Sequence, residues 1–226
     1  MTNSATVVFD LDGTLVDTAA DLIAAANATL CDRGLPAALD PMKDASVAFR
    51  GGRAMLTEGY ARAPRDVLIP PSAIDEDFSR LLDHYGRNIA AHSRPYPGTE
   101  AMLTALADAG HRLAICTNKP EALARDLMNR LGLLPRFAAL IGADTLPVRK
   151  PDPAPYRAAV AAAGGVVARS CLIGDTRTDR DTARAAGVRI ALVGFGPEGA
   201  DVARLHPDAV IDGFADLPGV VADWFG

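Results

Sequence analysis

The sequence predicts an α/β protein, a doubly wound parallel sheet with an all-helical segment inserted after its first strand. Three observations carry this expectation. From residue 99 onward, short apolar runs alternate with segments of helical period, the pattern of a parallel sheet covered by helices on both faces. One apolar run, Val7-Val8-Phe9, stands alone near the start and can pair only with that later sheet. Between them, from Asp17 to about His92, no convincing strand is found. The expected organisation is a core of residues 1–16 and 94–226, with a helical domain of residues 17–93.

Each element has its own signal. Asp17 is placed to cap a helix running to about Arg33, with Leu22, Ile23, Ala26 and Leu30 on one face and Gly34 as its stop. Asp40-Pro41 suggests the start of a second, short helix ending near Arg50-Gly51-Gly52-Arg53, and a third helix follows from Ala54. Pro70-Pro71 is a break, after which Ser72 caps a long helix carrying Ile74, Phe78, Leu81, Leu82, Tyr85 and Ile89 at helical spacing. Arg94-Pro95-Tyr96-Pro97-Gly98 reads as a stiff linker out of this segment. Helices are then expected over 99–109, 121–131, 153–163, 178–186 and 217–225. Strands are expected over 113–116, 138–141, 171–173, 188–193 and 209–211.

Composition narrows the function classes. The chain has 226 residues and a formal net charge of -5, with Lys and Arg scattered rather than clustered, which argues against nucleic acid as a partner. No apolar run reaches membrane-spanning length and no basic-then-apolar start is present, so a cytoplasmic protein is expected. Cys31, Cys116 and Cys171 have no metal-ligand spacing and are read as structural filler, Cys116 and Cys171 as small buried hydrophobes inside apolar runs. The histidines are dispersed, with no i,i+4 pair to hold a metal.

In an open parallel sheet, ligands bind beyond the carboxyl ends of the strands. The first strand delivers Asp10 and Asp12 there; spaced i and i+2, they point to the same side of an extended backbone. Two like charges so close need a divalent cation or a shared proton. Alone, the stretch also reads as a solvated Asp-Gly turn. The other strand ends add Thr117-Asn118, Lys150, and Asp175 with Asp179 four residues on. Together these form an expected cluster of four carboxylates around one lysine. Its oxygen-only donors suit Mg²⁺, which binds through one or two carboxylates plus a substrate phosphate. With Mg²⁺ bound and Asp12 protonated the cluster is neutral, and a protonated aspartate is what a general acid needs.

Phe9-Asp10-Leu11-Asp12-Gly13-Thr14-Leu15-Val16-Asp17, Thr117-Asn118-Lys119-Pro120, Lys150-Pro151 and Gly174-Asp175 through Asp179 resemble, in order, the four motifs of the haloacid dehalogenase-like hydrolase superfamily. The resemblance spans almost the whole chain. It implies a Rossmann-like core, and the helical insert looks like that superfamily's small cap. Pro95-Tyr96-Pro97-Gly98 and Thr117-Asn118-Lys119-Pro120 resemble the phosphoglycolate phosphatase group, from which Thr178 departs, that group often having Asn at this position. The resemblance implies that Asp10 attacks phosphorus and that Asp12 serves as acid and then base. It further implies Thr117 and Asn118 as phosphate-binding residues, Lys150 as the neutralising cation, and Asp10, Asp12 and Asp175 as Mg²⁺ ligands with Asp179 behind them.

The implied reaction is hydrolysis of a small phosphomonoester, foremost 2-phosphoglycolate, by a monomer or homodimer. Asp12 disfavours a dehalogenase, which needs no acid for a leaving alcohol. Thr14-Leu15 disfavours a β-phosphoglucomutase type, which usually has an apolar pair there. Other sugar-phosphate or pyrophosphate hydrolases remain alternatives, as does a non-catalytic receiver-like phospho-acceptor. Gly194-Phe195-Gly196-Pro197-Glu198-Gly199 fits a dinucleotide fingerprint with Asp212 downstream, but too little chain follows for such a fold. Substrate choice is expected to lie with the cap. There Arg50-Gly51-Gly52-Arg53 offers arginines that could grip a carboxylate and glycines that allow close approach.

Overall fold

The structure is a computed structural model and describes residues 4–226. The chain opens with β1 (Thr6–Phe9), passes a two-residue strand β2 (Val16–Asp17) and enters the helices α1 (Ala19–Asp32), α2 (Ala45–Ala48), α3 (Gly52–Ala61) and α4 (Ala73–Arg87). After β3 (Arg94–Pro95) it alternates through α5 (Thr99–Asp108), β4 (Arg112–Cys116), α6 (Glu121–Arg130), β5 (Ala139–Ile141), α7 (Ala154–Ala162), β6 (Ser170–Gly174), α8 (Arg177–Ala186) and β7 (Arg189–Val193). It closes with β8 (Ala209–Ile211) and α9 (Leu217–Phe225). Two compact units result: the chain up to Asp17 together with Pro95–Gly226, and Thr18–Arg94. No helix among the described residues is long and apolar enough to cross a membrane.

The first unit holds a six-stranded sheet in the order β5-β4-β1-β6-β7-β8, with every neighbouring pair parallel. Val7, Val8 and Phe9 of β1 are fully buried, as a strand covered on both faces must be. Each contributes about 1.5–3 kcal/mol relative to exposure. One face of the sheet packs Val8, Cys116 and Leu172 against Tyr156, Val160 and Ala183 of α7 and α8. The Tyr156 hydroxyl donates to Ser170 Oγ at 2.7 Å, so the buried phenol does not cost an unmade bond. Phe9 stands opposite Ile115 on one side and Ile173 on the other, so β1, β4 and β6 end level.

The second unit has its own core of Ile23, Ala26, Met55, Leu56 and Leu81 from α1, α3 and α4. α3 comes close to α1 at Gly59, where a Cβ would lie 2.6 Å from Leu30 Cδ1. Three buried carboxylates are compensated inside the unit. Asp21 accepts from the backbone of His92 and Ser93 and from the Ser93 hydroxyl, Asp77 pairs with Arg33, Tyr60 and Arg80, and Asp44 pairs with Arg62 at 2.8 Å.

Several expectations are corrected here. Asp17 lies in β2 and does not cap α1, whose N-cap is Thr18; β2 and β3 form a two-stranded sheet that sequence periodicity cannot show in two residues. The Asp40-Pro41 helix start is a turn, in which Asp40 Oδ1 accepts from the Met42 and Lys43 amides, and helix begins only at Ala45. α3 begins at Gly52 rather than Ala54, so Gly52 and Arg53 are helical. Ser72 is the N-cap residue of α4 as expected, but its hydroxyl donates to Glu76 Oε1 rather than accepting a capping bond, and Ile89 is buried beyond the helix end. Cys31 is exposed on α1, whereas Cys116 and Cys171 are buried as expected.

Candidate active site

The strand order reverses direction about β1, and such switch points open a crevice at the carboxyl ends. The ladder runs one residue past each strand: the Asp10 amide donates to Ile173 O at 2.8 Å and the Thr117 amide to Ile141 O at 3.0 Å. Asp10, Thr117 and Asp175 therefore leave three adjacent strands under backbone control. Behind Asp10 the chain turns sharply, with Gly13 at φ 83° and Leu11 O accepting from the amides of Thr14, Leu15 and Val16. The turn aims the Thr14 hydroxyl at Asp175 Oδ1, 2.8 Å away, a contact the sequence did not single out.

Carboxylate oxygens of Asp10, Asp175 and Asp179 lie within 4.8 Å of one another, all buried. Lys150 Nζ is 2.9 Å from Asp10 Oδ1 and 2.7 Å from Asp179 Oδ1, its side chain 1% exposed. Asp179 is fixed from behind as well. Thr176 N-caps α8, accepting from the Asp179 amide, while Asp179 Oδ2 accepts from the Thr176 amide at 3.1 Å and hydroxyl at 2.6 Å. The reciprocal pair is a capping box. Gly174 makes room for it, since a Cβ there would sit 2.5 Å from Asp179 Cβ.

Electrostatics follow from this crowding. Burial pushes the Asp10 carboxyl up to about 6 against the pull of Lys150, and the neighbouring Asp179 adds to the rise. Burial likewise raises Asp175 well above the ordinary carboxylate range, with Asp179 and Asp10 contributing. Lys150 is desolvated, yet Asp10 and Asp179 hold its ammonium well above its ordinary value. The arrangement stores repulsion between carboxylates that a cation would relieve.

Asp12 departs from the expected cluster of four. Its Oδ1 accepts from Lys119 Nζ at 2.8 Å, and the Lys119 side chain is 4% exposed. The sequence reading counted one lysine against four aspartates; the fold brings two. With both lysines charged, one divalent cation balances four ionised aspartates, so neutrality no longer requires a proton on Asp12. Lys119 was missed as a site residue, and its place directly after Thr117-Asn118 was the available signal.

The remaining expected residues divide between the two units. Thr117 is buried and its hydroxyl accepts from the Lys119 amide at 3.1 Å. Asn118 Nδ2 donates to Lys150 O at 3.0 Å, tying two strand ends together. Gly196 backs onto the turn, a Cβ there reaching Gly13 O at 2.9 Å. The loop from Gly194 then enters a 3-10 helix, Gly199–Leu205, followed by a single strand, which removes the dinucleotide reading. Arg50, Gly51, Gly52 and Arg53 belong to the second unit. Gly51 has φ 96° and Arg50 is exposed, while Arg53 pairs with Asp75 at 2.5 Å and lies 5.1 Å above the Phe78 ring.

The donors fit a hard divalent cation. Asp175 Oδ2 is buried with no hydrogen-bond partner among the described residues, and Asp10 Oδ1 meets Lys150 as an ion pair without hydrogen-bond alignment. Buried oxygens left in this state are the ligands an ion would take. Asp179 differs from the other two in that Lys150 and Thr176 engage both of its oxygens.

Comparison with known proteins agrees with this geometry. A family model described as haloacid dehalogenase-like hydrolase matches residues 5–187. A protein of Caulobacter vibrioides named phosphoglycolate phosphatase is 44% identical over 219 residues, covering 96% of this chain and 90% of that one. One of Agrobacterium fabrum with the same name is 42% identical, covering 93% and 89%. The crystal structure of a predicted phosphoglycolate phosphatase from Haemophilus somnus superposes with a TM-score of 0.84 at 27% identity, covering 97% and 99%.

Proposed function

The chain belongs to the haloacid dehalogenase-like hydrolases, and from that premise we propose that it is a Mg²⁺-dependent phosphatase of small phosphomonoesters, with 2-phosphoglycolate as its substrate. The observation that carries the reading is the buried Asp10–Lys150–Asp179 arrangement beside Asp175, whose free oxygen suits a cation. Relatives named phosphoglycolate phosphatase at 44% and 42% identity support the substrate.

In this reading an oxygen of Asp10 attacks phosphorus, the bond to the ester oxygen breaks, and Asp12 gives that oxygen its proton. Water then attacks the phosphoryl group on Asp10 while Asp12 takes the water's proton, and phosphate leaves. Splitting the displacement this way replaces one hard step by two easier ones. Lys150 holds Asp10 and offsets the negative charge of the phosphoryl group, and Thr117 and Asn118 hold the phosphoryl oxygens. Bound Mg²⁺ would be held by Asp10, Asp175 and the Asp12 carbonyl, supplying positive charge for the phosphoryl oxygens. The helical unit is the cap domain of this family. The protein works in the cytoplasm as a monomer or homodimer.

The test is phosphate release from a panel of phosphomonoesters with Mg²⁺ and with EDTA, using Asp10→Asn as control. Repeated turnover that requires Mg²⁺ and Asp10, highest for 2-phosphoglycolate, is expected. Turnover that persists in Asp10→Asn would sink the mechanism, and a preference for another ester would replace the substrate.

A further inference from the structure

We propose that Lys119 is the specificity residue for the leaving group, holding a carboxylate on the carbon next to the ester oxygen. The inference rests on the phosphatase reading and deepens it by naming what selects the substrate class. Lys119 lies in the loop after β4, and its buried ammonium contacts Asp12 Oδ1 at 2.8 Å. A buried ammonium must be paired, and Asp12 partners this one at the place where the leaving group is protonated. Lys150 already serves the Asp10 end of the site, pairing with Asp10 and Asp179. Lys119 stands at the other end, beside the acid.

Geometry then places it against the leaving group. An acid that protonates the ester oxygen lies within about 3.2 Å of it. With Lys119 Nζ on the same carboxyl, the ammonium and the leaving oxygen are about 4–6 Å apart. In 2-phosphoglycolate the ester oxygen, one methylene and the carboxylate follow in sequence, so the carboxylate falls within this gap. An ammonium has three donors and can keep Asp12 Oδ1 while giving another to the substrate. A neutral alcohol offers no anion at that position. This assigns the carboxylate to Lys119 in place of the arginines expected from the sequence, one of which, Arg53, is engaged by Asp75 and Phe78 within its own unit.

The test compares kcat/KM for 2-phosphoglycolate with that for 2-phosphoglycolamide, which keeps the shape and loses the charge. In Lys119→Met the acid-to-amide ratio is expected to fall about 10–100-fold, the range of a charge-assisted hydrogen bond, and Lys119→Arg is expected to retain most of it. If Lys119→Met is recovered unfolded, Lys119→Gln is judged by the same ratio. A lysine that only positions Asp12 would lower both substrates equally, and an unchanged ratio overturns the inference alone. A wild-type ratio near one, with both esters turned over, overturns it together with the substrate reading on which it rests.

Discussion

Replacing the proposed nucleophile by its neutral isostere, Asp10→Asn, is expected to make the metal-free protein more stable while abolishing turnover. Burial raises the Asp10 carboxyl from 3.8 to about 6, with Asp179 adding to the rise, a value already net of the attraction to Lys150. A carboxyl whose folded pKa lies above its unfolded one costs nothing at low pH and destabilises as pH rises through that interval. At pH 4 the cost stays below about 1 kcal/mol, and at pH 8 it reaches about 3 kcal/mol, since each pKa unit is worth about 1.4 kcal/mol. Asn carries no charge and escapes the cost, and Lys150 keeps Asp179 as its partner at 2.7 Å. The assay is urea unfolding of wild type and Asp10→Asn in EDTA across pH 4 to 8. The variant is expected to gain about 2–3 kcal/mol at pH 8 and little at pH 4. A difference that is absent, or that does not grow with pH, would refute the claim that burying an ionised Asp10 costs stability in the metal-free site.

Three further outcomes follow from the same contacts. Divalent-ion binding must displace the proton that Asp10 holds up to about 6, so Mg²⁺ affinity is expected to weaken as pH falls through that value. Calorimetry in buffers of different ionisation heat would detect proton release near pH 6 and less at pH 8. Gly174→Ala drives a Cβ into Asp179 and is expected to cost about 10–100-fold in kcat/KM, as loss of a supporting contact does; full activity would mean that Asp179 need not be held where it is. In the helical unit, Arg62 holds the Asp44 carboxyl down to about 2. That stabilisation is present above the unfolded value near 4 and is lost as pH falls towards 2, so hydrogen exchange in α2 and α3 should separate wild type from Arg62→Ala above pH 4, the gap narrowing as pH falls towards 2.

The core and its strand-end chemistry were legible because each rests on a local pattern. A buried parallel strand reads as an apolar run, and the first polar residue after it is delivered to one edge of the sheet, as for Asp10, Thr117 and Asp175. Contacts between side chains far apart in sequence were not legible. The Lys119–Asp12 pair joins residues 107 apart, and the Thr14–Asp175 bond joins residues 161 apart. Counting lysines along the chain therefore gave the wrong charge balance. In the helical unit the errors were at helix starts: Asp17 and Asp40 have side chains that can cap, yet each found another role, in a strand or a turn, and Ser72 stands at the N-cap of α4 with its hydroxyl turned to Glu76. A capping residue reports that a cap is possible, and tertiary contacts decide whether it forms. At Thr176 the box did form, because Asp179 at the third helical position returns the bond.

The central claim, that Asp10 carries the phosphoryl group, is tested most directly by mass analysis of the acid-quenched protein. In the proposed mechanism Asp12→Ala lacks both the acid of the first step and the base of the second, so it is mixed with Mg²⁺ and 4-nitrophenyl phosphate, whose leaving group needs no proton, and is expected to trap one phosphoryl group on the peptide containing Asp10. Wild-type protein that releases phosphate while no quenched sample carries phosphorus on that peptide would contradict the account.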